Sequence, residues 1–181
     1  MAVLIEGISV VLRAEAVLGK YSGGWQGFMA VVANSTLCAD GELIRVGFMA
    51  PHDTKNFIEA LAAHGIIYLR EGQAEDLVVV DQQRGFAAPC IWAEFGQVDW
   101  QGDPTKKVSA CRAVKSTRTE LVTPDGWTYE GSLSSRFVFV EAGRVPEFMD
   151  FLRHENGLDV YRDLRTGKEV YVSRPGRGGQ G

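Results

Sequence analysis

Four apolar residues in succession, Leu77-Val78-Val79-Val80, run straight into the polar stretch Asp81-Gln82-Gln83-Arg84-Gly85. A strand with one wet face alternates apolar and polar residues. An unbroken β-branched run instead predicts a central strand covered on both faces. A short loop, Phe86 to Pro89, leads to a second strand-like run that begins at Cys90 with Cys-Ile-Trp-Ala-Glu-Phe. Leu77 to Phe95 is therefore the expected centre of the molecule.

Around that centre, turn residues recur at short intervals. Gly7 to Arg13 reads as a strand and Ala14 to Tyr21 as a short helix, broken by Ser22-Gly23-Gly24. Trp25, Phe28, Met29 and Val32 then fall on one helical face. Thr36 to Met49 is an expected hairpin around Ala39-Asp40-Gly41, because glycine accepts positive φ at no steric cost. Pro51-His52-Asp53 stops that strand, with Asp53 as the expected cap of a helix from Thr54 to His64. Phe57, Ile58 and Leu61 form its buried face and Gly65 its C-terminal cap. Ile66 to Leu69 and Leu77 to Gln82 follow as strands. Later strands are expected at Val108–Val114, Glu120–Val122, Trp127–Glu130, Arg136–Glu141, Leu158–Arg162 and Glu169–Ser173. Turns fall at Pro124-Asp125-Gly126 and Thr166-Gly167. Pro146 suits the first turn of a helix reaching Glu155 and ending at Asn156-Gly157, with Phe148, Met149, Phe151 and Leu152 as its face. Short hairpins with only two long helices predict an α+β protein with mainly antiparallel sheet.

The two parts of the chain echo one another. Arg45 to Met49 resembles Arg136 to Val140, and Phe57-Ile-Glu-Ala-Leu resembles Phe148-Met-Asp-Phe-Leu. Ile66 to Arg70 then matches Leu158 to Arg162, and Val78 to Val80 matches Val170 to Val172. The expectation is two related β-α-β-β halves packed as one compact unit, 1–101 and 102–173. The polar run 96–107 marks the boundary, and the glycine-rich 174–181 is an expected flexible tail.

Composition narrows the function classes. The 181 residues carry 19 basic against 23 acidic side chains, a net charge of −4, which argues against non-specific nucleic-acid binding. No apolar run approaches the roughly 20 residues that span a bilayer. The start, MAVLIEGISVVLR, has no basic segment ahead of its apolar residues and reads as a first strand, not a signal peptide. Cys38, Cys90 and Cys111 are odd in number and widely spaced, and His52, His64 and His154 are the only histidines. No metal site and no cofactor are expected, and reduced thiols in a cytoplasm are the simplest reading. No Walker loop, GxSxG, HExxH or dinucleotide fingerprint is present.

The candidate site residues are Asp81, Gln82, Gln83, Arg84, Cys90, Trp92 and Glu94. A strand end presents polar groups from a rigid scaffold, and the Arg84 fork suits a carboxylate or phosphate. The plainer reading is a solvated hairpin whose polar side chains satisfy their own backbone. Cys90 has apolar flanks, which favour an inert buried thiol over a nucleophile. Asp81 and Glu94 on neighbouring strands, or Asp40 and Glu42 at one turn, are the available carboxylate pairs. Trp92, Trp100, Trp127 and Tyr129 are either an aromatic patch or core. No residue can be assigned a catalytic role. The expected function is that of a non-catalytic cytoplasmic binding protein using a groove or sheet face to meet a partner protein, of which a toxin-neutralising immunity or inhibitor protein is one form. The alternative is a small-ligand binder or enzyme with a pocket built from residues 81–94.

Overall fold

The structure is a computed structural model that describes residues 1–118, 120–136, 149–155, 158–164 and 167–173. The chain opens with β1 (Ala2–Ile5), β2 (Ile8–Arg13), α1 (Ala14–Lys20) and α2 (Gly24–Val31). A hairpin of β3 (Cys38–Ala39) and β4 (Leu43–Phe48) leads to α3 (Pro51–Ala63). Next come β5 (Leu69–Arg70), β6 (Gln73–Ala74), β7 (Leu77–Asp81), β8 (Gly85–Phe86), β9 (Ala93–Asp99) and β10 (Lys107–Ala113). The remaining elements are β11 (Leu121–Val122), α4 (Leu133–Arg136), β12 (Met149–Glu155), β13 (Leu158–Asp163) and β14 (Glu169–Ser173). The class is α+β and the sheets are mainly antiparallel.

Two sheets make the body. One is five-stranded in the order β3-β4-β2-β7-β8, and the other four-stranded in the order β11-β1-β10-β9. Only the β1–β11 pair is parallel among the described strands. Period-two alternation sorts the five-stranded sheet into two faces. Val10, Leu12, Ile44, Val46 and Leu77 turn toward the helices, meeting Val17, Phe28, Phe57 and Leu61. Val11, Leu43, Val78 and Val80 turn the other way, onto Val3, Leu4, Ile5, Val108 and Cys111 of the four-stranded sheet. The unbroken run in β7 thus feeds two cores at once, in a three-layer stack of helices, sheet and sheet. Each fully buried valine or leucine contributes about 1.5–3 kcal/mol.

The two sheets share one continuous stretch, since only Glu6 and Gly7 separate β1 from β2. Gly7 sits at φ +59°, and a Cβ there would lie 2.7 Å from the carbonyl oxygen of Phe48. Only glycine fits such a corner. Buried Gln82 clamps it: its side-chain carbonyl accepts the Gly7 N–H at 2.8 Å, and its own N–H donates to the Gly7 carbonyl at 2.9 Å. Ser109 of β10 then donates its hydroxyl to the Gln82 carbonyl at 2.8 Å. Glu6 fastens the later chain, its carboxylate accepting from Trp127 Nε1 at 3.1 Å and from Ser134 N and Oγ at 2.9 and 2.7 Å.

Two buried charges complete the frame. Arg45, 3% exposed, donates to Ser9 Oγ, the Thr36 carbonyl and the Glu6 carbonyl at 2.9–3.0 Å. Burial lowers its pKa from the ordinary value. Gly47, two residues along the same face, leaves the space that the guanidinium fills. Asp76, 1% exposed, accepts Lys20 Nζ at 2.6 Å and the Ile67 N–H at 2.9 Å, tying the end of α1 to the start of β7.

Several expectations are corrected. The helix expected over Pro146–Glu155 is strand β12 where it is described, and 146–148 lie outside the described residues. Its apolar spacing looked helical because a bulge between Phe151 and Arg153 breaks the two-residue period. Phe151 then pairs across the strands with Tyr161, and their rings meet edge-on at 5.6 Å. A strand thus stands where the duplicated unit requires a helix, so the β-α-β-β pattern does not recur in the described residues. Trp127 to Glu130 is turn rather than strand, held by Glu6 and by the 4.8 Å contact of Trp127 with Trp100. Arg136 ends α4 instead of opening a strand. Pro51, not Asp53, starts α3, and its N-cap Ala50 offers no side-chain bond. The polar run 96–107 includes the connection of the β9–β10 hairpin. The expected strand residues 137–141, the Asn156-Gly157 end, Thr166 and the tail 174–181 lie outside the described residues.

Gly47→Ala should lower the unfolding free energy by about 1–3 kcal/mol, because a methyl group overlaps the guanidinium. The same change in an Arg45→Ala chain should cost clearly less. Urea unfolding of the four chains checks this, and strictly additive costs would show that the two residues do not compete for space.

Candidate functional site

The polar run after β7 splits by direction. Asp81 and Gly85 close the β7–β8 hairpin, and Asp81 Oδ1 accepts the N–H groups of Gln83 and Arg84 at 2.8 and 2.9 Å. This turn is local chemistry: a short carboxylate bonds to the backbone two and three residues on. Gln82 points inward to the sheet junction, and its Nε2 finds no acceptor among the described residues. The Gln83 Nε2 is likewise buried without one. Arg84 stands exposed at the rim.

Asp81 and Arg84 border a groove of about 640 Å³ between α3 and the β7–β8 hairpin. One wall is the side of α3 bearing Thr54, Lys55, Ile58 and Glu59, residues three and four apart that share a helix face. The other includes Val79, Phe86 and Ala87, with Ile8 and Tyr68 completing the apolar lining. Lys55 and Glu59 lie 3.7 Å apart at the solvent edge. The groove thus has an apolar interior and two charges of each sign around it. Such a cleft suits a molecule with an apolar body and a polar end.

The other expected residues lie elsewhere. Trp92 borders a second cleft of about 690 Å³ at the Arg13 end of β2. Its Nε1 donates to the Ala74 carbonyl at 3.0 Å, and the Arg13 guanidinium lies 6.0 Å from its ring centre. That cleft carries the cations Arg13, Arg70 and Lys115, the acids Glu15, Glu42, Glu71 and Glu75, and the exposed Ile91 and Val114. Glu94 lies on a third, smaller concavity of about 280 Å³ and is paired with Arg112 across the β9–β10 ladder at 2.8 Å. Asp81 and Arg84 are therefore brought together, whereas Trp92 and Glu94 line separate surfaces. Ile8 and Arg13 are five residues apart on one strand, which sets the first two clefts about 17 Å apart.

The thiols are held protonated. Burial pushes Cys38 up to about 11, with the Arg45 charge opposing it only in part. Burial also raises Cys111 and half-buried Cys90, the latter opposed by backbone bonds at Trp92 and Ala93 and by Arg13. Cys90 precedes β9 in a loop and packs against the inter-sheet core. Among the described residues no group of three or more His, Cys, Asp or Glu is placed to hold a metal ion. No described helix is long and apolar enough to cross a membrane.

Sequence reasoning missed Lys55 and Tyr68 as site residues and placed Ile58 wholly in the core. The available signal was Lys55, Ile58 and Glu59 on one helix face, whose burial depends on a wall 20 residues and more away. Comparison with protein-family models, curated proteins and solved structures finds no match to the chain.

Cys90 should be the first cysteine to react with a thiol reagent in the native protein, with Cys38 and Cys111 reacting only on unfolding. A raised thiol pKa favours the protonated form in the fold, so its stabilisation is complete below the unfolded value and lost as the thiolate forms. Unfolding free energy should therefore fall as pH rises from about 9 toward about 11. Mass-spectrometric mapping of alkylation and urea unfolding across that range test both statements. Early labelling of Cys38, or a flat profile, would contradict them.

Proposed function

We propose that the protein is a non-catalytic binding protein for a small amphipathic molecule held in the groove between α3 and the β7–β8 hairpin. The observation that carries this reading is the groove itself. A volume of about 640 Å³, apolar walls and a few charged groups at the mouth match the usual character of small-molecule sites. The reactive groups of the neighbouring stretch are committed elsewhere. The Asp81 carboxylate binds its own turn, and burial holds the Cys90 thiol protonated. The three free cysteines support a reducing compartment such as the cytoplasm. A toxin-neutralising protein docking through one face bearing Arg84, Trp92 and Glu94 has less support, because those side chains border three different concavities.

Thermal-shift measurement against a library of amphipathic acids and amines tests the assignment. A ligand should raise the melting midpoint of the wild-type chain. Ala87→Trp, which fills the groove from an exposed position, should abolish that shift. Arg84→Ala should weaken binding about tenfold or more, since it removes a charge from the groove rim. A library without a single binder, or binding that survives Ala87→Trp, would reject the groove as the site.

A further inference from the structure

Gln82 holds its side-chain amide in a fixed setting at the seam between the two sheets. It is 2% exposed, and its backbone is engaged on both sides. The N–H donates to the Gly7 carbonyl at 2.9 Å, and the carbonyl accepts the Ser109 hydroxyl at 2.8 Å. The side-chain Oε1 accepts the Gly7 N–H at 2.8 Å. Nε2 is buried as well, yet it reaches no acceptor among the described residues. Exchanging the amide oxygen and nitrogen gives no relief, because Nε2 would then face the Gly7 N–H, donor against donor. Turning the amide plane gives none either, since that breaks the Oε1 bond. The nitrogen therefore keeps its direction, with its two hydrogens held in the protein interior.

The seam that receives it is polar. Ser109 is 1% exposed and Ser134 3% exposed. The carboxylate of Glu6, next to Gly7 in the chain, accepts from Trp127 Nε1 and from Ser134. A buried amide walled by carbon alone would stay dry. One set among hydroxyl and carboxylate oxygens has what a buried water requires, a donor to accept from and oxygens to donate to. The Ser109 hydroxyl gives its hydrogen to the Gln82 carbonyl and so presents lone pairs. The chemistry of the occupant follows from charge and size. An anion would accept from Nε2 but would meet the Glu6 carboxylate in a low-dielectric interior. A cation would meet the Nε2 hydrogens. Water accepts from Nε2, donates to the seam oxygens and brings no charge. We propose that the sheet seam is a binding site for one ordered water, which accepts from Gln82 Nε2 and donates to an oxygen of that seam. The water completes the clamp on the β1–β2 corner, and it lies apart from the groove, whose lining does not include Gln82.

A crystal structure of the full chain, at a resolution that shows ordered water, is the first test. Density for a water should stand about 2.7–3.2 Å from Gln82 Nε2 and within the same reach of a second polar atom. The second test is made in solution by proton NMR. The Gln82 side-chain amide protons should cross-relax with water, with the sign of a molecule held longer than the protein takes to tumble. Gln82→Glu keeps an acceptor for the Gly7 N–H, so loss of the amide signals in that variant identifies them. Density that leaves Nε2 facing only carbon overturns the proposal. A protein oxygen found on Nε2 overturns it too, because the amide then needs no water. Cross-relaxation absent, or with the sign of passing surface water, likewise overturns it.

Discussion

The hydrogen-bonded pair between Gly7 and Gln82 is the constraint on which the rest of the body depends. The chain leaves one sheet and enters the next across two residues, so the two sheets cannot slide independently. Gln82 supplies both a donor and an acceptor to that corner, and its carbonyl also receives Ser109 from the second sheet. The same residue follows Asp81 and precedes Arg84, so the rim of the groove is built on the seam between the layers. A residue read as a possible ligand contact is in fact a strut.

Buried polar groups do comparable work elsewhere. Arg45 gathers a hydroxyl and two carbonyls from three segments, and Asp76 joins a helix end, a loop and a strand. Neither adds much net stability over an apolar replacement of equal shape, since desolvation offsets most of the attraction. What they add is alignment: hydrogen-bond geometry admits one register, where greasy surfaces admit many. The apolar cores hold the layers together, and these charges fix how the layers meet.

Much of this architecture was legible in the sequence. The four-residue run of β7, the Asp-Gly hairpin before β4 and the α3 stripe of Phe57 and Leu61 each follow a local periodicity, and local periodicity is what a sequence displays. β12 was misread because one inserted residue changes the apparent period, and its pairing with β13 decides the outcome. The groove was half visible. Asp81 and Arg84 stand out as polar residues after an apolar strand, but their partners on α3 come from packing between distant segments. Arg45 looked like an ordinary alternating strand residue. Its burial depends on the Ser9, Thr36 and Glu6 acceptors and on the space beside Gly47, which come together only in the folded chain.

The position of β1 has a consequence for how the chain is made. Its four buried residues lie in the interior of their sheet, between β10 and β11, with Ala2 opposite Arg112 and Ile5 opposite Ser109. β1 therefore pairs with strands made more than 100 residues later. At ~5–20 residues per second that interval is on the order of 5–20 s. During it, β2, β4 and β7 can already assemble beneath their helices, while the Ala-Val-Leu-Ile segment waits without its ladder. The nascent protein carries an apolar strand whose ladder closes only once β10 and β11 have been made, and a chaperone has its opportunity in that interval.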